Sequence, residues 1–127
     1  MGIRGVTTTL GRWALAGIFI KGGFDAFKDP GARPATAQKA GLPEPELLVR
    51  ANGAAMVAGG IGLLTGILPR TAAAGLIVSL GATTVVGHRF WDAHEEPART
   101  QQTTQFLKNL AIIGGLVIYL GERHGLS

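Results

Sequence analysis

The chain has 127 residues, 46% hydrophobic and only 16% charged, with 20 glycines and 12 Lys and Arg against 8 Asp and Glu, a net charge of +4. A charged fraction below the ~25% usual for soluble domains, combined with so much glycine, points to a single domain of membrane helices. Without cysteine there is no disulfide framework, thiolate zinc site, iron–sulfur cluster or thiol redox centre within this sequence, and basic residues scattered singly rather than clustered exclude nucleic acid as the partner.

The first apolar stretch, residues 5–20, reads GVTTTLGRWALAGIFI and predicts a helix over about 3–27. Arg12 stands in its middle. A guanidinium at the centre of a membrane helix costs roughly 2.5–3.5 kcal/mol on insertion scales, so it persists facing a partner, a cavity or a bound polar ligand. Lys21 and Asp25 follow at the i,i+4 spacing of a helical ion pair. Asp29-Pro30-Gly31 ends the helix, because proline disfavours helical backbone at the residue before it. With only Arg4 ahead and no small-x-small cleavage site behind, the stretch reads as a signal-anchor retained as the first helix.

Residues 29–46 form a proline- and alanine-rich connection with one short interfacial turn around Ala35 to Ala40. A second helix is predicted over 46–68, with Gly53, Gly59, Gly60, Gly62 and Gly66. Gly62 and Gly66 make a GxxxG packing face. Pro69-Arg70 turns the chain into a third helix over 71–90, so these two form an antiparallel hairpin. Gly75, Ser79, Thr83 and Gly87 recur there every four residues as a small-residue stripe for helix contact, with Thr84 and His88 beside it. Trp91 has the amphipathic ring expected at a membrane interface. The fourth helix is predicted over 103–121, with Lys108 and Asn109 inside it and Tyr119 near its far end.

These elements predict an all-α, integral membrane, four-helix antiparallel bundle with both termini on the same side and the lipid bilayer around it. Lys28, Arg33, Lys39, Arg50, Arg89 and Arg99 lie in or beside the two longer connections, against Arg4, Arg70 and Arg123 on the terminal side. The positive-inside rule then puts those connections in the cytoplasm.

Several polar residues in or beside the spans have the chemistry for a ligand site. Arg12 suits an anionic or quinone-type ligand; its structural alternative is an arginine bonded to carbonyls and hydroxyls of its own bundle, or snorkelling past Thr8 and Thr9. Lys21 with Asp25 is either part of a relay or an interfacial ion pair. His88 is either a proton carrier or quinone partner, or an interfacial histidine held by a hydrogen bond. His94 and His124 lie outside the spans, which leaves no opposed histidine for bis-histidine haem ligation. Lys108 and Asn109 are either ligand contacts or helix glue. No metal site is predicted, and no nucleotide loop, HExxH, GxSxG or triad spacing is present.

The order and spacing of several pieces resemble the DoxX family of small four-helix bacterial membrane proteins, from about Leu10 to Gly121. They are Arg12 and Gly17 followed by Lys21-Gly22; Gly59-Gly60-Ile61-Gly62-Leu63-Leu64-Thr65-Gly66 leading to Arg70 and Ala72-Ala73; His88-x-Phe90-Trp91; and Phe106-x-Lys108-Asn109-Leu110-Ala111 with Gly114-Gly115. One departure stands out. Many relatives carry an acidic residue shortly before the glycine pair, where this chain has Asn52 as its strongly polar residue. The resemblance implies a multi-pass protein of the bacterial inner membrane. Relatives are linked to quinone-coupled sulfur oxidation, to terminal quinol oxidase complexes, and to a mycobacterial complex with superoxide dismutase and a thiol-oxidising partner. The expectation is a membrane subunit of a redox-related assembly, accessory rather than a self-sufficient oxidoreductase. Its polar pocket would be lined by Arg12, Lys21, His88, Lys108 and Asn109 and would take a quinone or small anion. The alternative is a non-catalytic scaffold packing against other membrane subunits or against itself. A small-solute transporter is a third class, for which the chain is short.

Overall fold

A computed structural model of the chain describes residues 2–122. Arg123 and His124 of the sequence analysis lie outside them. The regular elements among the described residues are all helices: α1 (Ile3–Lys28), α2 (Arg33–Lys39), α3 (Pro45–Thr65), α4 (Pro69–Gly87) and α5 (Ala98–Gly121), with a 3₁₀ turn at Phe90–Asp92 between the last two. Three are long and apolar enough to cross a membrane, namely α3, α4 extended through the 3₁₀ turn, and α5. At 26 residues α1 has the length but is not among the three. Arg12, Lys21 and the hydroxyls of Thr7, Thr8 and Thr9 dilute its apolar character. Between 17% and 22% of the most apolar 18-residue stretch of each span is buried, so most of its side chains face outward, toward lipid rather than toward a water-excluding core.

The helix ends differ from the sequence expectation for identifiable reasons. The second long helix stops at Thr65 rather than 68 because Gly66 takes a left-handed backbone, φ +78°, and its N–H returns to the Gly62 carbonyl. Leu68 is also left-handed, φ +47°, and Pro69 opens α4 with its ring at the first turn. The third long helix ends at Gly87 rather than 90, and its continuation tightens into the 3₁₀ turn. The fourth starts at Ala98 rather than 103. Pro97 precedes it, and the Glu96 carboxylate accepts from both the N–H and the hydroxyl of Thr100. The expected turn at 35–40 is the two-turn helix α2, with Pro34 in its first turn.

α1 packs chiefly along α3, α3 along α4, and α4 along α5, while α5 touches α1 only over a short length. The closest approach is between α1 and α3. A Cβ built on Gly23 would lie 2.5 Å from the Gly53 carbonyl oxygen, and one on Gly53 would lie 2.6 Å from the Gly23 oxygen. Each glycine is therefore the hole into which the other backbone fits. Gly60 repeats the arrangement two turns along, against Ile20 and the Ala16 carbonyl. The buried core is Ala16, Phe19, Leu63, Ala73, Leu76, Leu80, Leu116 and Tyr119.

Candidate functional site

Arg12 reaches the C-terminal end of α3. Its Nη1 donates to the Leu63 carbonyl at 2.9 Å, and the neighbouring Trp13 Nε1 donates to the Leu64 carbonyl at 3.1 Å. The last four carbonyls of a helix have no partner within it, so two adjacent α1 residues satisfy two of α3's. The helix macrodipole adds partial negative charge at that end, which favours a guanidinium there. Gly66 makes room for this contact, because a Cβ on it would sit 3.0 Å from Arg12 Nη1.

Arg12 also lines a cleft of about 340 Å³ between α1 and α5. The thin contact between those helices leaves the cleft open. Leu15, Gly115 and Ile118 form its apolar wall, and Thr7, Thr8, Arg12, Tyr119 and Glu122 supply its polar groups. Thr8 Oγ1 donates to Glu122 Oε2 at 3.3 Å, and Arg70 Nη1 donates to the Glu122 carbonyl at the same distance. Arg12 is half-buried and has five N–H donors, one of them spent on Leu63.

The remaining expected site residues lie elsewhere. Lys21 pairs with Asp25, and the Lys21 side chain is 78% exposed on the outer face of α1. His88 is at the far end of α4 from Pro69, roughly 28 Å from it at 1.5 Å per residue; its Nδ1 pairs with Gln102 Oε1 of α5 at 2.9 Å. Beside it, Phe90, Trp91 and Phe106 stack edge to face. Lys108 is exposed and Asn109 is buried on α5. Arg12, Lys21, His88, Lys108 and Asn109 therefore do not converge on one pocket, because helix length separates the two ends of the fold and helix periodicity turns Lys21 and Lys108 outward.

A second polar cluster joins α3 to α4. Asn52 Oδ1 accepts from Ser79 Oγ at 2.6 Å, and its Nδ2 donates to Thr83 Oγ1 at 3.0 Å. Two members of the expected small-residue stripe thus hold α3 by hydrogen bonds, while Gly75 and Gly87 have open space where a Cβ would stand. Gly62 packs against Ala72 of α4, whereas Gly66 serves as the left-handed end of α3. Of the cleft's polar residues, Tyr119 was legible as an interfacial aromatic, but Thr7 and Glu122 carried no signal until the fold set them beside Arg12.

A family model described as DoxX matches residues 7–89. That match takes in α1 through α4 and ends before α5. No curated protein and no solved structure matches the chain.

Proposed function

The chain belongs to the DoxX family, and from that premise we propose that it is an integral subunit of a quinone- or thiol-linked redox assembly in the bacterial inner membrane. In this reading α1 joins α3, α4 and α5 as a fourth crossing of an antiparallel bundle, and both termini lie on one side. The chain acts as an accessory subunit that holds a ligand, with electrons supplied and removed by partner subunits. The observation that carries the reading is the α1–α5 cleft with Arg12 at its edge. A quinone-type head seats a ring oxygen on the guanidinium, and its isoprenoid tail follows Leu15 and Ile118 toward lipid. Lys21, His88, Lys108 and Asn109 are not part of this ligand site.

Calorimetric titration of the purified protein in detergent with a short-tailed quinone analogue tests it. Arg12→Ala weakens binding by tenfold or more, the scale of losing a charge-assisted hydrogen bond. His88→Ala, at the other end of the fold, leaves binding unchanged. Equal affinity in both variants and the wild type removes the cleft as the ligand site.

A scaffold role is the second reading, favoured by a different observation. Gly75 has open space where a Cβ would stand, and Ala74, Val78, Ala82 and Val85 on the same side of α4 are exposed, a face of small and apolar residues suited to another helix. A stoichiometric partner that copurifies in mild detergent with no bound small molecule favours the scaffold.

A further inference from the structure

We infer that Glu122 makes the cleft selective for the reduced, hydroxyl-bearing form of its ligand, a hydroquinone head rather than the dione; this rests on the quinone-type reading above. Arg12 and Glu122 border the same cleft with opposite charge, yet they are not bonded to each other. The ion pairs within 4.0 Å among the described residues are Lys21–Asp25, Arg50–Glu46 and Arg89–Asp92. Each cleft charge is tied instead to a neutral group of its own surroundings, Arg12 to the Leu63 carbonyl and Glu122 to the Thr8 hydroxyl.

Of the cleft's charged groups, one is therefore a donor that cannot accept and the other an acceptor that cannot donate, and the Thr7 and Thr8 hydroxyl protons are already spent on the Arg4 carbonyl and the Glu122 carboxylate. A guanidinium has N–H groups alone, and an ionised carboxylate has lone pairs alone. A dione can only accept, so it satisfies Arg12 and turns a second carbonyl oxygen toward the carboxylate, which repels it. A hydroquinone oxygen accepts from Arg12 through its lone pair while the other hydroxyl donates to Glu122. Both charges are then satisfied by one rigid ring, and the apolar wall is free to take the tail. A simple anion suits Arg12 but not Glu122, so the same argument disfavours the small anionic ligands expected from the sequence. Glu122 is exposed at the end of α5, outside the buried core, so replacing it removes the hydrogen bond from Thr8 and no core contact. It is a specificity-determining residue.

The test is calorimetric titration of the full-length protein in phosphatidylcholine nanodiscs, with a short-tailed quinone and, under argon, its hydroquinone. Wild type binds the hydroquinone about tenfold more tightly, the scale of a hydrogen bond to a charged group. Glu122→Leu loses that preference while its quinone affinity stays at or above wild type, and Glu122→Gln, whose amide oxygen still accepts, falls between. Equal affinity of wild type for the two forms, or an unchanged preference in Glu122→Leu, overturns the selectivity and leaves the ligand site standing. Binding of neither form sinks the functional reading itself. A preference that disappears when phosphatidylethanolamine replaces phosphatidylcholine assigns the Arg12–Glu122 pair to a phosphate–ammonium lipid head and also overturns the inference.

Discussion

Gly53→Ala tests the packing that positions Arg12. The added methyl would begin 2.6 Å from the Gly23 carbonyl oxygen, 2.9 Å from the Phe27 nitrogen and 3.2 Å from the Ala26 Cβ. Two of the three neighbours are backbone, so neither can swing aside as a flexible side chain would. Ordinary carbon contacts lie at about 3.5–4.0 Å, so α1 and α3 must part locally by roughly 1 Å. Overpacking of this kind costs about 1–3 kcal/mol, and the rigidity of the neighbours puts Gly53→Ala in the upper half of that range. Gly23→Ala fills the same gap from the other side. Once the helices have separated, the second methyl adds little, so the double variant loses clearly less than the sum of the singles. Gly17→Ala is the control: it lies in α1, like Gly23, with nothing within 4 Å of the new Cβ. Its helix propensity gain leaves it neutral or more stable by up to about 1 kcal/mol. Unfolding in mixed detergent micelles, followed by helical circular dichroism, measures all four variants against wild type. If Gly53→Ala unfolds within 0.5 kcal/mol of wild type, a threshold on the order of an innocuous surface change, the close crossing of α1 and α3 is refuted.

Other substitutions separate structural from incidental polar groups. Arg12→Met leaves the Leu63 carbonyl without its α1 partner and lowers stability by about 1–3 kcal/mol, read in the same unfolding assay. A double-mutant cycle of Asn52→Ala with Ser79→Ala yields a coupling of about 0.6 kcal/mol and no more than about 1.7, the range of interhelical hydrogen bonds inside membranes; zero coupling dissolves the α3–α4 link. Lys21→Ala removes an exposed pair and leaves the unfolding midpoint where it was, and a large drop means that the pair is shielded in the bilayer.

The helices were legible because long apolar runs bounded by Pro and Gly leave few other structures for a chain in lipid. Their ends were less so: nothing in the residue type at 66 says that this glycine, among 20 in the chain, is the left-handed one. The position of Arg12 announced a buried polar contact, but its partner is a backbone carbonyl 51 residues away, and every residue carries such a carbonyl. The stripe from Gly75 to Gly87 looked like one packing face. In the fold its middle pair, Ser79 and Thr83, meets Asn52 while its glycines face open space, because residues four apart drift by about 40° around a helix of 3.6 residues per turn, so the stripe winds off the α3 side at both ends. Of the described glycines, Gly23 and Gly53 leave the least room for a Cβ, yet spacing within one helix cannot show a match between two. The ligand residues expected from sequence share polar chemistry at membrane depth, and depth alone does not say which end or which face of a helix they occupy.

The claim on which the rest depends is that α1 crosses the membrane with Arg12 inside it. The chain has no cysteine of its own, so single cysteines placed at Gly2, Ala35 and Gly121 can be labelled one at a time with a membrane-impermeant maleimide in intact spheroplasts and in inverted vesicles. A crossing α1 puts Gly2 and Gly121 on one side of the membrane and Ala35 on the other. Labelling of Gly2 together with Ala35, opposite Gly121, would lay α1 on the membrane surface and contradict the account.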